Sequence, residues 1–313
     1  MKNGANVFAR WVKFVELNTK LVSLTPFLIG TAYSFYINGA IDWKATGILF
    51  IAVFFWSLTV TMVSNFIDRR RENKEPHFSL SVSLVLIFGT GGAAMLLGLW
   101  LTFLYGLPVL AAGAVSFGVG IFYSFTPISI SRTPYGEIAS GLTEGFLVIF
   151  LAVFVNAHAG PVQYADLHFS GRVLLGSMDW VSMASLLLLA LPSICCTSNI
   201  MLANNICDVD RDVESRRYTL PYYIGRKKAL MLYYALYGAA YASILLAVIV
   251  SVVPVVSLAA LLTAPFVFRN ARRFAANPVK AETFILTIKN YTLLLYGYLL
   301  TILIGFALTI ILK

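Results

Sequence analysis

Charge is scarce in this chain. Only 12% of its 313 residues are Asp, Glu, Lys or Arg, against 59% hydrophobic residues and a mean hydropathy of +0.82. Soluble globular domains carry about twice that share of charge, so the composition excludes one and indicates a polytopic membrane protein. Cysteine is nearly absent. Cys195, Cys196 and Cys207 have neither disulfide nor metal spacing and read as small packing residues. No motif that reads DNA or RNA is present. The net charge of +9 therefore reports orientation and anionic headgroups, not a nucleic-acid partner. No cleavable signal peptide is evident: the first apolar run, from near Leu21, is long enough to span and lacks a small-residue cleavage site.

Apolar sequence is what the chain has in quantity. Nine stretches reach or approach the roughly 20 residues that a spanning helix needs. They lie near 21–38, 46–66, 81–103, 107–125, 138–156, 181–204, 229–250, 252–268 and 290–311. The expected fold class is all-α, one integral-membrane domain. With the N-terminus inside, every Lys and Arg except Lys44, Arg172 and Lys313 falls on the cytoplasmic side. That strong positive-inside bias predicts a multi-pass protein of the cell membrane with a cytoplasmic N-terminus and an outside C-terminus. The one long polar stretch on the far side is about 157–180, with Asp166, His168 and Asp179.

The few acids are not spread evenly. Half of the 14 lie in two cytoplasmic loops: Asp68, Glu72 and Glu75, then Asp208, Asp210, Asp212 and Glu214. Asn204, Asp208 and Asp212 are spaced by four residues at the end of a long apolar run, which puts them on one helix face. Asp210 points elsewhere. In each cluster an apolar helix ends in a polar dipeptide (Ser64-Asn65; Asn204-Asn205), followed by acids at four-residue steps and a basic run. Ser64, Asp68 and Glu72 thus echo Asn204, Asp208 and Asp212. The echo predicts two similar halves, about 1–157 and 181–313, facing one cytoplasmic cavity.

Ionisable groups stacked at a membrane helix end are functional candidates, and oxygen ligands of this kind suit Mg²⁺. An EF-hand is excluded, because Val213 stands where its Gly and Thr219 where its Glu are required. Two carboxylate clusters with many basic neighbours match the needs of a diphosphate ester. Mg²⁺ bridges carboxylates and diphosphate, Arg and Lys neutralise the remaining charge, and diphosphate leaves. The bland alternative is that the acids merely pair with arginines at headgroup level; two similarly spaced clusters on one side favour a site. His77, near the first cluster, reads as a surface-loop residue. Glu137 and Glu144, seven residues apart, are candidate acids on the acceptor side.

Four segments carry a resemblance: VELNTKLVSLTPFLIGTAYS, SNFIDRRRENKE, GIFYSFTPISISRTPYGEIASGLTEGF and IMLANNICDVDRDVESRRYTLPYYIGRKKAL. Over essentially its whole length the chain resembles the UbiA-type intramembrane aromatic prenyltransferases. Within them it looks most like the 1,4-dihydroxy-2-naphthoate polyprenyltransferases of menaquinone synthesis. The resemblance implies nine transmembrane helices around a central cavity and two motifs of the NxxxDxxxD kind. Asn204, Asp208 and Asp212 match the second motif's Mg²⁺–diphosphate ligands. Asn65 and Asp68 match the first, which departs from the family at Ser64, where Asn is usual, and at Glu72, where Asp is usual. Tyr123 and Arg132 match the loop between helices four and five, with Arg132 holding diphosphate or an acceptor carboxylate. Arg217 and Lys20 are further candidates for the substrate.

The implied activity is Mg²⁺-dependent transfer from polyprenyl diphosphate to 1,4-dihydroxy-2-naphthoate with decarboxylation, giving demethylmenaquinone. The apolar tail is expected to leave sideways into the lipid bilayer. Two alternatives stay open. One is a different aromatic acceptor. The other, motivated by Ser64 and Glu72, is a non-catalytic paralogue that binds prenyl lipids.

Overall fold

A computed structural model describes residues 7–17, 20, 24–71, 75–125, 129–157, 164–170 and 173–311. Ten helices account for most of them: α1 Val7–Val15, α2 Thr25–Asn38, α3 Trp43–Arg71, α4 Leu80–Tyr105, α5 Leu107–Ser124, α6 Gly136–Ala157, α7 Trp180–Glu214, α8 Leu220–Ile249, α9 Ala264–Ala276 and α10 Phe284–Ile311. Among the described residues seven are long and apolar enough to cross a membrane: α3 to α8 and α10. The other two expected spans are not among them. In the stretch near 21–38, residues 21–23 lie outside the described residues and those described form the 14-residue α2. The stretch near 252–268 is a 3₁₀ segment, Val255–Thr263, running into α9. At about 2.0 and 1.5 Å per residue, that pair would reach roughly 38 Å end to end, more than a hydrocarbon layer of about 30 Å.

The outer faces are lipid-like. On α4, Val85, Phe88, Leu96 and Phe103 are all exposed, Phe103 by 85%. Such a display is untenable in water and ordinary against acyl chains. Gly106 breaks α4 from α5 with φ 89°, a conformation that L side chains avoid, and Pro108 opens α5. The core lies along α6 and α7. A Cβ on Gly145 of α6 would lie 2.7 Å from the Cα of Ile194 on α7; only glycine lets the two backbones come so close. Between them, α6 contains a π-helical stretch, Gly141–Leu147.

One buried side chain ties the far end together. Asn156, at the end of α6, accepts at Oδ1 from the Asp42 backbone N–H (2.9 Å) and donates from Nδ2 to Thr46 Oγ1 (3.0 Å). Its backbone carbonyl accepts from Asn38 Nδ2 at 3.1 Å. The start of α3 and the end of α6 therefore share one side of the bundle. The chain then passes through a hairpin, β1 Ala165–Ser170 and β2 Val173–Met178, antiparallel with Ala165 opposite Met178. From there α7 returns to the other side. This connectivity brings Asp68, near the end of α3, and Asp208 and Asp212, near the end of α7, to the same end. The expected polar stretch near 157–180 thus contains strands, which its composition did not announce.

Candidate active site

The second acidic series is carried by the last turns of α7, where a four-residue step repeats one face of a helix. Asp212 is buried; Asn204 and Asp208 are half-buried. Each acid already holds a cation. Asp208 Oδ2 accepts from Lys280 Nζ, brought in by the link between α9 and α10. Asp212 Oδ1 lies 3.5 Å from Arg217 Nε, and its Oδ2 accepts from Thr219 Oγ1 at 3.5 Å. Asn204 makes no hydrogen bond among the described residues. Asp210 turns outward to Arg226 at 3.3 Å and is 88% exposed at its side chain, as its place two residues off the series requires.

Two loops are clipped together over this face. Arg217 Nη2 donates to the Ser131 carbonyl at 3.3 Å, and Arg132 Nη1 donates to the Ser215 carbonyl at 3.2 Å. The Tyr218 backbone N–H donates to the Arg132 carbonyl at 3.1 Å. Arg132 lies within electrostatic reach of both Asp68 and Asp212, and of Arg71 and Arg217. It stands between the two motifs.

The first motif is less fully committed to that face. Asp68 is exposed, with no hydrogen bond or ion pair among the described residues. Ser64 Oγ is hydrogen-bonded to Ser124 Oγ at 2.6 Å, joining α3 to α5. Asn65 Nδ2 donates to the Phe14 carbonyl (3.0 Å) and to Glu16 Oε1 (3.3 Å), so its amide faces α1. Glu72 lies outside the described residues. Among those described, no three His, Cys, Asp or Glu side chains gather into a metal-holding group.

Deeper in the bundle, Tyr123 OH lies 3.1 Å from Met201 Sδ on α7 and accepts from Ser140 Oγ at 3.5 Å. Lys20 does not join the acid clusters. It is 4% exposed and donates from Nζ to the Ser57 carbonyl (3.1 Å) and to Thr61 Oγ1 on α3. Its carboxylate neighbours are Glu144 and Glu16. Glu144 is also in reach of Tyr123 on α5 and Tyr291 on α10. With those groups around it, Glu144 lies inside the bundle, yet its side chain is exposed; it faces internal open space.

Glu137 does not share that space. It is buried, and its Oε1 accepts from Asn205 Nδ2 at 2.9 Å. Seven residues return to one face in an α-helix. The intervening π-turns hold more residues per turn, so the two carboxylates part. Lys280 escaped the sequence reading as a site residue, because its contact with Asp208 spans 72 positions. The one available signal was a lone lysine between two helices on the acidic side.

The model of the UbiA prenyltransferase family matches residues 23–291. The 1,4-dihydroxy-2-naphthoate octaprenyltransferase of Bacillus subtilis (strain 168) is 25% identical over 241 residues, covering 72% of this chain and 68% of that protein. An enzyme of the same name from Mycobacterium tuberculosis (strain ATCC 25618 / H37Rv) is 26% identical over 244 residues, 74% of this chain and 76% of that one. In fold, the chain is similar to a UbiA homolog from Archaeoglobus fulgidus bound to DMAPP and Mg2+. The TM-score is 0.59 and the identity 11%, over 94% of this chain and 99% of the other.

Proposed function

The chain belongs to the UbiA prenyltransferase family, and on that premise we propose that it transfers a polyprenyl group from polyprenyl diphosphate to 1,4-dihydroxy-2-naphthoate, with loss of CO₂, to give demethylmenaquinone. That it is a prenyltransferase follows from the family and its relatives. The acceptor is inferred from what those relatives are named for. The observation that carries the site is the position of Arg132, within reach of Asp68 from one motif and Asp212 from the other.

The donor set fits Mg²⁺. Asn204, Asp208, Asp212 and Asp68 offer only oxygen, which hard cations prefer, and Asn204 and Asp68 have no described hydrogen-bond partner. We infer that these four hold the ion, with Glu72 as a fifth candidate. When bound, Mg²⁺ neutralises the diphosphate and makes it a better leaving group.

The protein's own cations do the rest of the anion's binding. Arg132 offers a planar fork suited to two phosphate oxygens. Arg217 and Lys280, now paired with Asp212 and Asp208, are placed to turn toward a diphosphate entering beside those carboxylates. Ser64 and Asn65 belong to the first motif, where Asn65 keeps α1 in place. In the transfer the allylic C–O bond breaks and diphosphate leaves with the electron pair. The ring carbon bearing the carboxylate forms the new C–C bond. That carboxylate leaves as CO₂, and its electrons restore the aromatic ring, so no net proton is gained or lost. Glu144, open to the interior with Lys20 and Tyr123 near it, is positioned to accept the hydrogen of an acceptor hydroxyl while charge shifts in the ring. We infer that both motifs face the cytoplasm.

The test is product formation in liposomes from 1,4-dihydroxy-2-naphthoate and a polyprenyl diphosphate, with Mg²⁺ or EDTA, for the native chain and Asp208→Ala. A decarboxylated prenyl product that needs Mg²⁺, and falls at least about 100-fold in the variant, supports the reading. Diphosphate release without that product assigns a different acceptor.

A further inference from the structure

A second basic site lies beside the first motif and shares Asn65 with it. A cavity of about 170 Å³ opens between α1, the end of α3 and the start of α4. Among the described residues its polar lining consists of Asn65, Arg69, Arg70, His77 and Ser83, with no carboxylate among them. Phe14 and Phe78 form its apolar wall; their ring centroids are 5.7 Å apart, and His77 lies 5.7 Å from Phe14. Arg10 on α1 is not part of that lining, but its Cζ lies 5.3 Å from the ring of Phe78, which is. Its Nε is buried and has no hydrogen-bond partner among the described residues. A buried guanidinium donor without an acceptor is costly, which points to an acceptor that arrives with a ligand.

The electrostatics agree. Burial, then Arg69, Lys13 and Arg10, push His77 below its ordinary value, as expected where cations crowd together. Glu16, just past the end of α1, accepts from the Asn65 amide at 3.3 Å. Placement narrows the ligand further. The cavity lies where two spanning helices end, at headgroup level. α1 beside it is amphipathic, with Val7 and Phe8 exposed on one side and Arg10 and Lys13 on its length. Such a helix lies in the membrane interface, its apolar face among acyl chains.

We propose that this cavity binds the phosphate of an anionic phospholipid, held by Arg69 and Arg70 of the lining with Arg10 beside them, and with the acyl chains running past α1 and α4. Arg70 lies 5.0 Å from the Phe66 ring, and Arg69 is fixed by donating from Nε to the Glu75 carbonyl at 2.7 Å. Both guanidinium groups keep further N–H donors for an anion. The same chemistry would suit a free phosphate, so the test separates the two.

Full-length protein in detergent is titrated with phosphatidylglycerol or phosphatidylcholine and followed by native mass spectrometry. The native chain is expected to prefer phosphatidylglycerol. Arg10→Gln with Arg70→Gln should weaken that binding about 30-fold, for two cations lost at a membrane surface. His77→Glu, a change in a loop between helices, should weaken it comparably and covers the case in which the double variant fails to fold. Equal retention of both lipids by the native chain, or native affinity in His77→Glu, overturns the proposal. Stabilisation by inorganic phosphate, lost in His77→Glu and without any lipid preference, assigns the cavity to a free anion and also overturns it.

Discussion

Lys280 and Asp208 form an ion pair that joins the link between α9 and α10 to the middle member of the series on α7. Neither partner is fully buried, the side chains being 47% and 16% exposed, so the pair itself contributes about 1 kcal/mol or less. Its interest is positional. A cation taken up by Asp208, or an anion taken up by Lys280, replaces the pair with stronger partners. The link is thus held over the site by a contact that ligands can exchange.

Lys280→Ala should therefore weaken diphosphate binding more than it weakens the fold. A charge-assisted hydrogen bond is worth about 1.5–3 kcal/mol, which corresponds to a rise in KM for polyprenyl diphosphate of roughly tenfold to 100-fold. Lys280→Arg should recover most of it. Initial rates against diphosphate concentration give the answer, and an unchanged KM in Lys280→Ala would remove Lys280 from the site.

Ser64 is bonded to Ser124 across α3 and α5, which predicts a structural share in what the motif alone presents as a ligand position. Ser64→Ala is expected to cost about 1 kcal/mol of stability and to leave the Mg²⁺ concentration for half-maximal rate where it was. Thermal unfolding and a Mg²⁺ titration of turnover separate the two effects. A several-fold rise in the Mg²⁺ requirement with unchanged stability would make Ser64 a ligand instead.

Much of this arrangement was legible locally. Apolar runs mark helices because a spanning segment must be nearly uncharged, and a four-residue step fixes a helix face, so Asp208 and Asp212 align while Asp210 departs to Arg226. The rest is non-local or lacks a pattern. β2 is exposed along its whole length, so no alternation betrays it. The π-turns in GLTEGFL have no compositional mark, and they decide that Glu137 and Glu144 part. Asn65 reads as a site residue by its match to the family motif, yet its amide is taken by the Phe14 carbonyl 51 positions away.

Acid should loosen the far end of the bundle through Asp42. Its Oδ2 accepts from Tyr105 OH at 2.6 Å and its Oδ1 from the Ala45 backbone N–H at 2.9 Å. The Tyr105 bond first, then the backbone bond, hold its carboxyl below the ordinary value. A carboxylate lowered on folding adds stability that is fully present above its unfolded pKa and is lost as pH falls through the folded one. Asp42→Asn should lower stability at neutral pH and flatten the acid side of the stability profile. Melting temperatures between neutral pH and the carboxylate range check this; an identical acid slope in the variant would assign the loss to other groups.

The two glutamates of α6 should separate cleanly by phenotype. Glu137 is buried against Asn205, so Glu137→Ala leaves the Asn205 amide without its acceptor and should cost about 1–3 kcal/mol of stability. Glu144 faces open space with Lys20 in reach, so Glu144→Gln should fold normally and lose turnover. Loss of a positioned general base typically lowers a rate by about 10²–10⁴-fold, and the fall should appear in kcat with the KM for polyprenyl diphosphate little changed. Because Lys20 is the cation near Glu144, Lys20→Met should share that defect while leaving the Mg²⁺ requirement alone. Turnover in Glu144→Gln equal to the native rate would exclude Glu144 from proton handling and confine the chemistry to the end of the bundle where Arg132 stands between Asp68 and Asp212.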